Sequence, residues 1–313
     1  MAGGFLDKKS FKTRIPYQGV TSFWRADYSQ DLASADFAVY GVPCDASIVN
    51  RPGTRYGPRA IREQSCYVAI PGVHWPFDYD FMQTHRLIDW GDIGFYPGQV
   101  GEMLVNAEEE ITRMSEAGVG TLGLGGDHLV AYPAIKAHAK RHGPLALIHF
   151  DAHTDTHPSE VLNHGSMFWF GEKEGLIDAK SSIQLGIRTL IPEGQDYTVI
   201  DSHKCIEMGS QAIIAKIRQV VGDRPCYISL DVDGMDPAHA PGTGTPLPGG
   251  ITSAMQREIL WGLSGLNIVG GDVVEVSPPY DPSHITAILG ATLGMDILYV
   301  MAESPIYKSR NKA

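Results

Sequence analysis

Five residues capable of chemistry fall within nine positions of one stretch, HFDAHTDTH at 149 to 157: His149, Asp151, His153, Asp155 and His157. Asp151, His153 and Asp155 are spaced by two, so in an extended segment their side chains leave the backbone on one side. The same rhythm recurs in SLDVDGMD, where Asp231 and Asp233 alternate, and a single histidine, His128, closes the glycine-rich GLGGDH. Carboxylates gathered at one place repel each other and stay ionised only if positive charge sits among them. Two divalent cations neutralise four aspartates, and four oxygen with two nitrogen donors suit a binuclear site in which two carboxylates bridge. An oxygen-rich set with imidazole and no thiolate favours Mn²⁺ ahead of Zn²⁺, although Zn²⁺, Co²⁺ and Ni²⁺ compete by affinity. His149 lies inside an apolar run and reads as a hydrogen-bonded core residue. His157 begins a loop, in the outer sphere of the metals or solvated, and Asp127 anchors the loop ahead of His128.

Short runs rich in β-formers carry these residues: 35 to 43, 85 to 94, 120 to 128, 145 to 153, 182 to 189, 226 to 234 and 267 to 279. Their apolarity is nearly continuous, the mark of strands buried on both faces. Between them lie helical patterns. Leu104, Ala107, Ile111 and Met114 share one face, as do Ile213, Ile214, Ile217 and Val221 after Ser210 as N-cap, and a further helix runs from about 282 to 301. Strands alternating with helices specify a three-layer α/β/α fold on a mainly parallel sheet. In such sheets ligands bind beyond the carboxyl ends of the strands. His128, the Asp151 cluster, the Asp231 cluster and Glu275 all stand there.

The chain has 313 residues, 43% of them hydrophobic, enough for one large domain over 1–313. Residues 1–34 read as an N-terminal extension packing on that domain or on a neighbouring subunit. A net charge of −11 argues against nucleic acid or an anionic membrane as partner and suits a cationic small molecule. Cys44, Cys66, Cys205 and Cys226 are widely separated, with no CxxC pair, and read as reduced buried thiols. The N-terminus has no apolar signal region and no uninterrupted apolar run spans a membrane, so the expected location is cytoplasmic.

The segments GVPCDAS, RPGTRYGPRAIRE, GGDH, DAHTD, NHGSMF, SIQLGIRT, SLDVDGMDPAHAPGTGTP and DVVEVSPPYD resemble, in this order and over nearly the whole chain, the ureohydrolases of the arginase and agmatinase family. The resemblance implies an arginase-like fold, assembly as a homotrimer or homohexamer, and two Mn²⁺ per subunit sharing a hydroxide that splits a guanidinium to urea and an amine. It places His128, Asp151, Asp155 and Asp231 on one ion and Asp151, His153, Asp231 and Asp233 on the other. It implies His164 as proton shuttle, Glu275 as guanidinium-binding carboxylate, Thr245 as a supporting hydrogen-bond partner and Asp155 as a further catalytic group. Asn163 and Glu160 join the substrate-binding set from the loop between Asp155 and His164.

That loop is short and begins His-Pro, Gly234 and Met235 replace a small or thiol residue and leucine, and His239 stands where an aromatic is common. The loop bears on substrate choice and leaves the reaction type untouched. Agmatine is the expected substrate, because an acidic loop tolerates its terminal ammonium and disfavours a carboxylate; guanidinobutyrate, guanidinopropionate and arginine are the alternatives. A single-metal deacetylase of similar fold has no use for His128, Asp155 and Asp233 together. A non-catalytic regulatory relative would be free to lose ligands that this chain retains.

Overall fold

The structure, a computed structural model, describes residues 17–69 and 74–308. Among the described residues nine strands form: β1 (Asp27–Tyr28), β2 (Phe37–Val42), β3 (Leu87–Asp92), β4 (Gly120–Gly125), β5 (Ala146–Phe150), β6 (Ile183–Ile187), β7 (Thr198–Asp201), β8 (Cys226–Asp231) and β9 (Ile268–Val274). They form one sheet in the order β1-β3-β2-β4-β9-β8-β5-β6-β7, with every pairing parallel. Seven strands fall within the apolar runs. The other two, β1 and β7, are short edge strands whose exposed positions break up the apolar signal.

The helices are α1 (Gly57–Val68), α2 (Phe81–Thr84), α3 (Val100–Glu116), α4 (Ala131–His142), α5 (Met167–Lys173), α6 (Ser202–Val221), α7 (Ser253–Trp261), α8 (Ile285–Ala302) and α9 (Pro305–Lys308). One face of the sheet, including Phe37, Val39, Ile148 and Phe150, packs with α1, α6, α7 and α8. The other, including Ala38, Tyr40, Leu145 and Leu147, packs with α3, α4 and α5. Alternate residues of one strand thus serve opposite layers, which is why these strands read as unbroken apolar runs. Helix α8 is long and apolar enough to cross a membrane, yet 83% of its apolar window is buried inside the protein: it is a core helix.

Two helix expectations shift. In α3 the buried stripe is Met103, Ala107, Ile111 and Met114, with Leu104 only half-buried. Helix α6 begins upstream of Ser210, capped by the Asp201 side chain, and is interrupted at Gly209 (φ 71°). The Ser210 hydroxyl donates to Glu258 Oε2 (2.5 Å) and makes no cap.

All four cysteines are free and buried. Of the proposed N-terminal extension, residues 1–16 lie outside the described residues. Residues 17–21 are exposed, and from Ser22 to Ala26 the segment packs on the chain's own core, with Phe23 and Trp24 buried. The Phe23 amide donates to Asp89 Oδ2 (2.7 Å). The same carboxylate is gripped by Arg62 of α1, Nε to Oδ2 at 2.9 Å and Nη2 to Oδ1 at 3.1 Å, with Arg62 Nη1 on Asp92. Removing one partner of such a buried pair strands the other charge. Arg62→Met should therefore lower stability by about 3–5 kcal/mol, read as a fall in the urea midpoint. A loss under about 1 kcal/mol would mark the pair as incidental.

Candidate metal centre

Four neighbouring strands at the middle of the sheet, β4-β9-β8-β5, end at one rim. Strand β4 leads through Gly126 and Asp127 to His128, β9 to Glu275, β8 ends on Asp231, and β5 runs into Asp151. Helix α1 closes in behind them because Gly57 carries no side chain. A Cβ there would lie 2.6 Å from the carbonyl of Val276 and 2.8 Å from that of Gly125. Asp155 (φ 52°) and Glu275 (φ 64°) adopt the left-handed backbone region, a local cost of about 1–3 kcal/mol each that turns their side chains into the site.

The ring of His128 sets the polarity of the cluster. Its Nε2 is 2.8 Å from Ser229 Oγ, and that hydroxyl donates to Asp272 Oδ1 (2.8 Å). The serine proton is thus committed to Asp272, so Nε2–H of His128 is the donor in the first bond. Nδ1 then presents a lone pair. It lies 3.1 Å from Asp151 Oδ2, 3.0 Å from Asp155 Oδ2 and 3.5 Å from Asp231 Oδ2, and it is buried without a hydrogen bond. A lone pair facing three carboxylate oxygens is repulsive unless a cation sits among them, so the donors fit a metal ion.

A second group follows alongside. His153 Nδ1 lies 3.2 Å from both Asp151 Oδ1 and Asp233 Oδ2. Asp151 therefore turns one oxygen to each imidazole, the geometry of a bridging carboxylate. Asp231 stands beside it, its Oδ1 accepting from the Asp233 amide (2.7 Å). His149 also reaches the first group, Nε2 to Asp151 Oδ2 at 2.9 Å. Gln184 decides its tautomer: the Gln184 Nε2 donates to the Thr154 carbonyl (2.6 Å), which fixes the amide orientation, and also to His149 Nδ1 (3.2 Å). Nδ1 accepts, so Nε2–H donates to Asp151 and has no lone pair for a metal.

The electrostatics agree. Burial pushes Asp231 well above the usual carboxylate range, and Asp233 and Asp151 push the same way. Burial opposes a charged His128, but the carboxylates of Asp151, Asp155 and Asp231 gathered around its ring carry it well above an ordinary imidazole. His153 is likewise disfavoured by burial yet raised by Asp151 and Asp233 to about 12. In the protein alone, protons hold the places that cations take.

Above the cluster opens a cavity of about 370 Å³. Its floor includes His128, His153, Asp155, Asp231, Glu275 and His164, and its walls Val49, His157, Ser159, Asn163 and Thr245. Glu275 Oε1 accepts from the His128 amide (2.9 Å) and lies 3.3 Å from His164 Nδ1; Oε2 is buried with no partner. Burial chiefly raises Glu275 to about 7, partly offset by His164. Thr245 lines the cavity and donates to Asp233 Oδ2 (3.1 Å), so its hydrogen bond supports a carboxylate of the metal centre. Asn163 lines the wall but ties its own loop, Nδ2 to the Val161 carbonyl at 2.9 Å. Glu160 is exposed and is not among the lining residues, because that loop turns it outward. The sequence reading passed over Ser229, Asp272 and Val49. The first two had a signal, a polar residue inside a continuous apolar strand; Val49 had none.

Because His128 and His153 hold protons that a cation displaces, metal binding is coupled to pH. Their pKa values are raised, so the proton occupies the site until pH rises or a cation arrives. Adding Mn²⁺ to metal-free protein at pH 7 should release protons, and apparent affinity should fall as pH is lowered. Binding without proton release, followed by indicator dye, would remove the imidazoles from the centre.

Residues 35–299 match the model of the arginase family. The chain is 43% identical over 277 residues to an agmatinase of Edwardsiella ictaluri, covering 88% of this chain and 91% of that one. It superposes on the crystal structure of a hypothetical agmatinase from Burkholderia thailandensis with a TM-score of 0.90 and 41% identity, covering 95% of this chain and 94% of that one. It superposes on the proclavaminate amidino hydrolase of Streptomyces clavuligerus with a TM-score of 0.88 and 37% identity, covering 92% and 99%. The match runs through every strand that feeds the rim from β2 to β9, the paired His/Asp groups support a binuclear metal site, and the chain belongs to the arginase family.

Proposed function

We propose that the chain hydrolyses agmatine to urea and putrescine at a pair of Mn²⁺ ions, with His128, Asp151, Asp155 and Asp231 on one and Asp151, His153, Asp231 and Asp233 on the other. The observation that carries this reading is the meeting, on one cavity floor, of the imidazole–carboxylate groups with Glu275, whose buried Oε2 has no hydrogen-bond partner among the described residues. A guanidinium N–H donor supplies that partner and the counter-charge together. The carboxylate-rich donor set suits Mn²⁺.

Metal ions held by these aspartates and imidazoles would neutralise the carboxylates and supply a water acidified toward neutrality. Glu275 grips the guanidinium and holds its carbon above the aspartate cluster. His164, with Nδ1 turned to Glu275, keeps Nε2 for the proton that the departing amine requires. Water oxygen bonds to the guanidinium carbon, the bond from that carbon to the chain nitrogen breaks, and the nitrogen leaves protonated. Urea and putrescine are the products.

Substrate choice rests on the far end of the cavity. Among the described residues its lining contains no Lys or Arg. The α-carboxylate of arginine would have no cationic partner there, whereas the terminal ammonium of agmatine finds the hydroxyl of Ser159, the ring of His157 and a surrounding negative field. The agmatinase names of the relatives support the same choice. We place the enzyme in the cytoplasm, which suits four buried free thiols, and in a homotrimer or homohexamer, as the family resemblance implies.

His164→Ala should cut turnover by about 100-fold or more with metal content unchanged, and collapse of metal loading in that variant would assign His164 to the metals. Glu275→Gln should lower kcat/KM by about 100-fold or more, and an unchanged kcat/KM would place the guanidinium elsewhere. Across agmatine, arginine, guanidinobutyrate and guanidinopropionate, urea release should show its highest kcat/KM with agmatine. A higher value for any of the others would overturn the substrate and leave the reaction standing.

A further inference from the structure

The segment SIQLGIRT carries, one place before its end, a residue that the reaction does not use. Arg188, just beyond β6, is part-buried, and all its side-chain hydrogen bonds among the described residues go to backbone carbonyls. Nη2 donates to the carbonyls of Asp233 (2.5 Å), Met235 (3.2 Å) and Leu247 (2.7 Å). Nη1 donates to those of Gly186 (3.0 Å) and Gly234 (3.2 Å), and Nε to that of Leu247 (3.1 Å). Three successive carbonyls of the turn after β8 thus converge on one planar fork. Guanidinium is the side chain with enough fixed donors for such a fan; an ammonium has three on a single atom.

The backbone of the same residue reaches the other side of the site. The Arg188 amide donates to the Ala152 carbonyl (2.9 Å), and Thr189 Oγ1 donates to that carbonyl at 3.0 Å. The Ala152 amide in turn donates to Asp233 Oδ1 (3.0 Å). Residues 151–153 and 233–235 are therefore tied to one another through residues 188–189. Close packing leaves no slack: a Cβ at Gly234 would lie 2.8 Å from the Asp151 amide nitrogen. Leu247 links the fork to the segment carrying Thr245, which holds the second oxygen of Asp233.

We propose that Arg188 is a positioning residue that sets the Asp233 turn against Asp151 and His153, and so defines the geometry of one of the two metal positions. This rests on reading Asp151, His153 and Asp233 as ligands of one ion. Among the described residues Arg188 makes no hydrogen bond to His128, whose ring is supported by Ser229 and Asp272, although Asp151 faces both groups. Its loss therefore acts on one ion more than on the other.

The test uses the full-length protein titrated calorimetrically with Mn²⁺ alone, with metal content measured after dialysis. The parent chain should hold two ions. Arg188→Met should keep one and bind the second at least about tenfold more weakly, the usual effect of removing a group that orients a ligand. Arg188→Lys, which keeps the charge but not the fork, should fall between the two, and excess Mn²⁺ should restore kcat to Arg188→Met. Equal weakening of both ions would make Arg188 a general structural prop and overturn the proposal, as would full retention of both. Should Arg188→Met not yield folded protein, the same comparison on Arg188→Lys decides. A parent chain that holds fewer than two ions sinks the ligand assignment itself, an outcome distinct from failure of Arg188 alone.

Discussion

Four aspartates and two imidazoles with their ligand atoms a few ångström apart, almost all out of reach of water, are the constraint around which this protein is built. Left to themselves the carboxylates repel, and burial aggravates the repulsion by removing the solvent that would screen it. The backbone offsets part of this. Asp151 Oδ1 accepts from the His153 amide (2.6 Å), Asp231 Oδ1 from the Asp233 amide and Asp233 Oδ1 from the Ala152 amide, so each of these aspartates uses one oxygen to stiffen its turn. The opposite oxygens of Asp231 and Asp233, and both oxygens of Asp151, stay turned inward toward the imidazoles.

Support for the centre is organised by strand. The Ser229 hydroxyl and Asp272 carboxylate that orient His128 sit on β8 and β9, inside otherwise apolar segments, and Tyr227 OH donates to the other oxygen of Asp272 (2.9 Å). His149 on β5 is oriented by Gln184 on β6, its neighbour in register. Each imidazole is thereby held in one tautomer, which decides whether it faces a metal with a lone pair or a carboxylate with a proton. His128 and His149 are only 5.2 Å apart ring to ring, yet their roles diverge for that reason.

The cavity divides into two regions with different demands. Its floor is made by strand ends and by two residues in a left-handed conformation, Asp155 and Glu275, and is rigid because the sheet fixes it. Its walls come from loops, Val49 on one side and the 157–166 segment on the other, the latter held together by Asn163 and Ser166 bonding within their own loop. Chemistry at the guanidinium is set by the floor. Preference for what lies at the other end of the substrate is set by the walls, where few residues decide the balance of charge.

Much of this was legible in the sequence. Continuous apolar runs marked seven of the nine strands, because a strand covered on both faces has no polar side to show. The two-residue rhythm of Asp151, His153 and Asp155 marked a shared direction, because pleated backbone alternates its side chains. The edge strands β1 and β7 escaped notice, being too short and too exposed to carry a pattern. Nothing in the sequence says that β4, β9, β8 and β5 are neighbours in that order; sheet topology puts His128 beside Asp231 across a hundred residues. Nor could spacing alone separate His149 from His128, since the tautomer depends on Gln184 and Ser229, residues brought close only by register. Thr245 and Glu160 show the same limit, one bonded to Asp233 and the other turned to solvent. Residue type and spacing determine which side chains are able to do chemistry; which of them meet, and with which atom forward, is decided by tertiary packing, because a hydrogen bond or a metal contact is settled within a few tenths of an ångström.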